Sequence, residues 1–177
     1  MYSGAVPQAK WPYPVREIDD IVRRSLSSFA KEALDGSWSG RREREAVSFY
    51  VFRYLLLEVH KDGFLKDAAQ IGIEYPVPQI AGSGKDQVCK DVVLWTDPGM
   101  TCWDEAGQPK IAPAAILEWK FGEPGVDERD VAWLNAFSKG RRAFVGYAVT
   151  IRRPGSDWKL RCARVVDGVE ERDWLRI

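Results

Sequence analysis

Two apolar segments separated by a helical pattern constrain the fold of this chain most. Residues 114–121, AAILEWKF, and residues 141–153, RRAFVGYAVTIRR, have the composition and length of strands, and residues 122–140 between them supply a loop and a helix. A strand–helix–strand crossover of this kind joins two strands that pair in parallel. The sequence therefore predicts an α/β fold.

The segments on either side extend this prediction to one mixed β-sheet flanked by helices. The order predicts a single domain over residues 15–177, after an irregular arm at residues 1–14. A second helix, whose middle is apolar on nearly every side, should be buried, with Ser39 as its cap and Gly63 just past its end. The acidic tail at residues 167–177 is expected to add a short turn or helix. The remaining predicted elements are helices at 15–34 and 39–63 and strands at 71–79, 88–96 and 158–166.

Composition indicates a soluble intracellular protein. Lys plus Arg and Asp plus Glu number 26 each, so the overall charge does not favour a polyanionic partner. The three cysteines have no paired metal-binding spacing and should be reduced, small buried residues. The start of the chain does not have the pattern of a signal peptide, and no apolar run approaches a membrane span. We therefore expect a cytoplasmic location.

Charged residues interrupt two of the predicted strands. Glu118 and Lys120 lie two apart in AAILEWKF, so they share a face of the strand. Asp91 lies at the entrance to the apolar run of KDVVLW, and it can approach Glu118 if the two strands pair. Neighbouring carboxylates repel each other unless a cation lies between them, and oxygen-only ligands suit Mg²⁺ or Mn²⁺. This combination predicts metal-assisted hydrolysis of phosphodiester bonds.

These motifs resemble those of the PD-(D/E)xK nuclease superfamily. The resemblance rests on Asp91 in KDVVLW, on ILEWK in the next strand, and on the order helix, three strands, helix, strand over residues 41–152. It implies a restriction-endonuclease-like core (α-β-β-β-α-β), here with an extra N-terminal helix and a fifth strand. The Pro of the family motif is Lys90 in this chain.

The resemblance also implies roles for individual residues. Asp91 and Glu118 would bind the metal ion, together with the carbonyl group of Trp119, and Lys120 would act on the attacking water or the transition state. Members of the superfamily often add a Glu from the preceding helix. Here we favour Glu43, which lies beside an apolar stripe, while Glu45 stays open because periodicity does not fix the face of this helix.

Two acidic features have simpler interpretations. Asp127, Glu128 and Asp130 open the predicted helix, where capping and favourable charge at a helix start explain them. The spacing of Glu118 and Lys120 recurs at Asp157 and Lys159, but there without a partner strand that carries a lone Asp.

A basic segment favours a nucleic-acid partner, most simply DNA. Residues 139–164 hold eight basic residues and one acidic residue, a net charge of about +7. Lys139, Arg141 and Arg142 are candidates for phosphate contacts, as are Arg41 and Arg42 beside the helix Glu. A solvated face paired with acids elsewhere is the alternative explanation.

Other functions stay open at this point. A nuclease-like domain that no longer cuts could bind nucleic acid or protein, and a small phosphorylated substrate would also suit the predicted site. With His60 as its only histidine, the chain offers little for a histidine-based centre. No separate sequence-reading module is evident, so specificity would come from loops such as 97–112 or from a homodimer.

Overall fold

The computed structural model describes residues 14–36, 38–80, 84–153 and 159–177. Nearly all of the predicted arm at residues 1–14 and the whole of the predicted turn at residues 154–157, with Asp157, lie outside these ranges. The helices are α1 (Val15–Leu34), α2 (Glu43–Arg53) and α3 (Glu128–Ser138), with short 3₁₀ helices at Leu55–Glu58 and Ala68–Gln70. The strands are β1 (Ile71–Pro78), β2 (Gln87–Leu94), β3 (Ala115–Phe121), β4 (Val145–Arg152), β5 (Lys159–Val166) and β6 (Val169–Arg176).

The six strands form one mixed sheet in the order of the chain. β3 and β4 pair in parallel across the crossover through α3, and every other neighbouring pair is antiparallel. Helices α1 and α2 contribute to the hydrophobic core on one face of the sheet, and α3 contributes to the core on the other face. The predicted α/β class, the flanking helices and the parallel crossover are confirmed.

The acidic tail is a sixth strand, so the prediction of a short turn or helix there was wrong. Val166 pairs with Val169, which leaves Asp167 and Gly168 as a two-residue loop. The backbone φ angles of these two residues are +47° and +75°. Positive φ at both positions is the geometry of the tight hairpin turn that an Asp-Gly pair favours. This dipeptide was the missed signal for β6.

Helix α2 is shorter and less buried than its composition predicts. It begins at Glu43 after Arg42, so Ser39 does not cap it, and a 3₁₀ helix follows its end. Its buried residues form one stripe, while Phe52 is 66% exposed and Leu57, in the 3₁₀ helix, is 71% exposed. The prediction of an all-round buried helix was therefore wrong, because only one side packs on the sheet.

A buried ion pair joins α1 to the sheet. Arg164 of β5 binds both carboxylate oxygens of Asp19 at 2.7 Å, and the hydroxyl group of Tyr147 in β4 donates to Asp19 Oδ1 at 2.6 Å. The Asp19 and Arg164 side chains are only 3% and 6% exposed. Arg164 therefore belongs to the interior and not to the basic surface that the sequence predicts for residues 139–164.

Two further expectations concern the burial of the cysteines and the possibility of a membrane-spanning helix. Cys102 and Cys162 are buried as expected, whereas Cys89 is exposed, because it lies on the outer part of β2 next to the sheet edge. Among the described residues, no helix has the length and apolar character needed to cross a bilayer.

We predict that Asp19→Ala destabilises the protein by about 3–5 kcal/mol, because it leaves the buried guanidinium of Arg164 without its counter-charge. The double variant Asp19→Leu/Arg164→Met should recover most of this loss, since no buried charge is left unpaired. Urea unfolding followed by circular dichroism measures both effects.

The matched control is Glu58→Gln, which breaks an ion pair with Arg24; the side chains of Arg24 and Glu58 are 59% and 16% exposed. It should change stability far less, because the Arg24 guanidinium stays hydrated and solvent-screened pairs contribute little. A loss for Asp19→Ala no larger than for Glu58→Gln would contradict the role of the buried pair.

Candidate active site

The proposed centre lies where strands β2 and β3 stop pairing. Their backbone register runs from Leu94↔Ala115 to Val92↔Leu117 and ends there. Beyond it, Oδ2 of Asp91 accepts a hydrogen bond from the backbone N–H of Trp119 at 2.7 Å. The backbone N–H of Asp91 donates to Oε2 of Glu118 at 3.4 Å. Side-chain carboxylates thus take the place of the backbone hydrogen bonds that end at this point. Asp91 and Glu118 lie next to each other, as the sequence predicts.

A kink shared by β1 and β2 sets the direction of the residues at this point. Glu74 has a φ of +48° and lies between the register pairs Ile73↔Val92 and Tyr75↔Lys90, opposite Asp91. Val92 packs into the core under α1 and α2. Regular alternation would put Lys90 on that side too, but the kink turns it towards α3.

Lys90 is the main residue that the sequence interpretation missed. Its ammonium group contacts Oε1 of Glu118 and lies 3.6 Å from the centre of the Trp133 ring on α3. The side chains of Lys90 and Glu118 are 5% and 7% exposed. Lys90 is a charged residue beside an apolar run, and this pattern could have indicated a buried, paired charge. The resemblance assigned position 90 to the proline of the family motif, so no role was predicted for Lys90.

Lys120 forms a second cluster next to the first. Its Nζ atom lies 3.5 Å from Glu43 Oε2 and 3.3 Å from Asp130 Oδ2, and it donates to the backbone carbonyl of Trp119 at 2.8 Å. Glu43, and not Glu45, is therefore the helix carboxylate beside Lys120. Glu45 instead accepts from the backbone N–H of Arg41 at 2.7 Å.

Asp130 differs from the other acids at the start of α3. Asp127 caps the helix as predicted, since its Oδ1 accepts from the backbone N–H of Arg129 at 2.8 Å. Asp130 instead lies against Lys120, so the interpretation of Asp130 as only a helix-start charge was incomplete. Its position in the first turn of α3, directed towards Lys120 near the end of β3, is set by the crossover and is not visible in the local sequence.

Burial and neighbouring charges shift the pKa values of this group. Burial raises the pKa of Glu118 to about 7, with Asp91 and Asp130 adding to the rise and Lys90 opposing it. Burial also raises the pKa values of Glu43 and Asp130, and Lys120 opposes both shifts. For Lys120, burial acts to lower the pKa, but the surrounding carboxylates outweigh it and the pKa is raised.

A pocket of about 230 Å³ opens beside these carboxylates. It lies between the start of α2 and the kinked strands, and Asp91 and Glu43 both line it. Arg42 also lines it, and Arg44, another lining residue, is paired with Glu74 at 2.7 Å. The predicted phosphate-binding residue Arg42 is thus next to the carboxylates.

The other predicted nucleic-acid contacts lie elsewhere. Lys139, Arg141 and Arg142 follow the end of α3, and β4 then begins at Val145, opposite the first residue of β3. Helix α3 spans about 16 Å, so these residues are at the far end of the sheet from Lys120. Arg142 is also paired with Asp167 at 3.5 Å.

The donor atoms suit a divalent cation in type and charge. In the described part of the chain, no group of three or more His, Cys, Asp or Glu side chains is arranged to hold a metal ion. Two of the oxygens that the sequence predicts as metal ligands are in contact with ammonium groups. Lys90 contacts the carboxylate of Glu118, and Lys120 donates to the carbonyl of Trp119. When ionised, the four carboxylates of the two clusters exceed these two cations by two charges. Hard oxygen donors with excess negative charge match Mg²⁺ or Mn²⁺.

We predict that Lys90→Met raises the pKa of Glu118 further, because Lys90 is the group that opposes the effect of burial. Titration of the Glu118 carboxyl carbon by NMR in metal-free buffer measures this, and the unmodified protein should have a midpoint near pH 7. Since this pKa lies above the ordinary value of 4.5, the contribution of Glu118 to the free energy of unfolding falls as the pH rises from about 4.5 to 7.

Lys120→Met is the matched control, because its ammonium group contacts Glu43 and Asp130 and not Glu118. It should shift the midpoint of Glu118 much less than Lys90→Met does. An unchanged midpoint in Lys90→Met would contradict the buried contact.

Comparison with known proteins adds no further information on this geometry. Neither a protein-family model, nor a curated protein, nor a solved structure matches the chain.

Proposed function

We propose that this protein is a metal-dependent nuclease of the PD-(D/E)xK type that hydrolyses phosphodiester bonds in DNA. The observation that carries the proposal is the meeting of Asp91, Glu118 and Lys120 at the point where β2 and β3 separate, with Glu43 added from the preceding helix. The order α2-β1-β2-β3-α3-β4 supports a restriction-endonuclease-like core. Three free cysteines are in keeping with a cytoplasmic location.

The metal ion would be held by the carboxylates of Asp91 and Glu118 and by the carbonyl of Trp119. When bound, such an ion lowers the pKa of a water molecule and stabilises negative charge on a phosphoryl oxygen. In the structure Lys90 and Lys120 neutralise part of this acidic group, so the strands can hold carboxylates together before any ion arrives.

Lys120 suits electrostatic stabilisation better than proton transfer. Glu43 and Asp130 hold its ammonium group on either side and raise its pKa, which keeps it charged. A fixed positive charge next to the site can stabilise the charge that develops on the phosphate in the transition state. Glu43 and Asp130 then act by positioning Lys120.

We predict that Asp91→Asn and Glu118→Gln each abolish DNA cleavage in Mg²⁺, because each removes a negative ligand from the metal site. Cleavage of linear, circular and branched DNA and of RNA, with EDTA as the metal-free reference, measures the effect. Glu105→Gln, in an exposed loop, is the matched control and should cut like the unmodified protein. Full activity of both site variants would overturn the proposal.

We predict that Lys120→Met lowers kcat by about 10²–10³-fold, the usual loss when one preorganised charge-stabilising donor is removed. Lys120→Arg should keep more activity than Lys120→Met, since it preserves the charge. Steady-state rates with saturating DNA measure kcat for both variants. Equal rates for Lys120→Met and the unmodified protein would exclude this role for Lys120.

One observation favours a second function, a nuclease-like domain that binds nucleic acid without cutting it. The contact between Lys90 and Glu118 uses a carboxylate oxygen that a metal ion would need. If this buried pair does not open, the domain binds without cleavage. DNA binding in EDTA, with no cleavage and no thermal shift on addition of Mg²⁺ or Mn²⁺, would support this alternative.

A further inference from the structure

We propose that the phosphodiester backbone of the nucleic acid runs from Lys120 to a cluster of four basic side chains on the α3-side face of β4, β5 and β6. We call this cluster the basic quartet; its members are Arg152, Lys159, Arg161 and Arg176. The path passes over the loop at residues 122–127, because the carbonyl of Gly125 in this loop accepts a hydrogen bond from the buried Thr150 of β4. The inference deepens the proposed function, and it rests on that function for the choice of nucleic acid as the ligand.

The strand register aligns the quartet with the candidate active site. Lys120 pairs with Thr150, Thr150 pairs with Arg161, and Arg161 pairs with Arg176. These four residues form one row across β3 to β6, and neighbouring strands lie about 4.8 Å apart. Arg176 is therefore about 14 Å from Lys120, backbone to backbone.

The other half of the quartet extends the row towards the end of the sheet. Arg152 pairs with Lys159, two residues along β5 from Arg161. Two residues of a strand span about 6.7 Å. The four basic residues thus occupy a patch of about 10 by 7 Å in backbone positions, across three strands, which the long side chains enlarge.

Alternation along the strands puts the quartet on the α3 side. Ile151, Leu160 and Cys162, which flank Arg152, Lys159 and Arg161 in sequence, pack in the core formed with α1 and α2. These three basic residues must therefore point to the opposite face. Alternation breaks in β6, where Trp174 and Leu175 both pack in or against that core, but Arg176 points the same way as Arg161 because the two are paired across the strands. Lys120 points to that face too, as its contact with Asp130 of α3 demonstrates.

The charges of the quartet are not neutralised within the described ranges. Among residues 14–36, 38–80, 84–153 and 159–177, no carboxylate forms an ion pair with any of its members. Two acids at the start of α3 are matched by other arginines, Glu128 by Arg172 and Asp127 by Arg129.

A nucleic-acid backbone fits this pattern better than a single anion does. Four cations spread over a surface that leads away from the active site require several negative charges in sequence. A DNA strand supplies one phosphate for about every 3.4 Å of helix axis. Single-stranded and duplex DNA share this chemistry, and the salt dependence of binding differs between them.

The test compares two matched double variants in EDTA, where metal-dependent cleavage cannot occur. Lys159→Gln/Arg176→Gln removes the two exposed members of the quartet, and Lys139→Gln/Arg142→Gln removes two exposed charges at the far end of the sheet. Fluorescence anisotropy with single-stranded and duplex DNA, over a range of salt concentrations, measures affinity. Thermal unfolding checks that both variants fold.

The quartet variant should bind about tenfold more weakly, or worse, at 0.1 M salt. Its plot of log affinity against log salt should lose about 1.8 of slope if the ligand is duplex, or about 1.4 if it is single-stranded. The far-end variant should match the unmodified protein in affinity and in slope.

Equal losses in the two variants, no loss in the quartet variant, or binding to anionic lipid vesicles in place of DNA would overturn the inference. Failure of the nuclease proposal has a different signature. If removal of the quartet weakens DNA binding but the unmodified protein never cleaves DNA in Mg²⁺, this inference stands and the nuclease proposal fails. If the protein cleaves DNA and the quartet variant is unaffected, the nuclease proposal stands and this inference fails.

Discussion

The hydrogen bond from the backbone N–H of Trp119 to the carboxylate of Asp91 is the contact on which the site depends. It forms where the β2–β3 ladder has ended, so a side chain takes the place of a backbone carbonyl group. This exchange lets the two strands diverge without leaving a buried N–H unsatisfied. Because the strands diverge, Lys120 is partly exposed and Glu118 has room for its contact with Lys90, while Leu117 and Trp119 stay in the core.

The charges around this gap balance each other through the sheet and the helices. Lys90 approaches Glu118 from the kinked strand, and Trp133 of α3 covers its ammonium group. Lys120 is held between α2 and α3, by Glu43 and Asp130. Buried charges are tolerated only when they are paired, and each lysine here supplies that pairing. The site is therefore a network of paired charges to which the helices on both faces of the sheet contribute.

Much of the fold could be predicted from the periodicity of apolar residues, because long apolar strands and the crossover leave few alternative folds. The boundaries of α1 and the pairing of β3 with β4 follow from local pattern alone. Only part of the candidate active site could be predicted from the sequence. Asp91 and Glu118 stood out as charges in apolar strands, whereas Lys90 and Asp130 acquire their roles from the kink at Glu74 and from the direction of α3. Those are tertiary features that no window of sequence contains. The basic segment at residues 139–164 does not form one surface for the same reason, since Lys139 to Arg142 and Arg152 to Arg161 lie at opposite ends of the sheet.

The two outer strands of the sheet carry a consequence for how copies of this chain could associate. In β1, Pro76 and Pro78 lack backbone N–H groups, and the positive φ of Glu74 bends the strand. In β6, the run of charges from Glu170 to Asp173 is exposed. Prolines, bends and charges at a sheet edge prevent another strand from adding to it. Neither edge is thus suited to extending the sheet into a second molecule, so a dimer of this chain would have to form through its helices or loops.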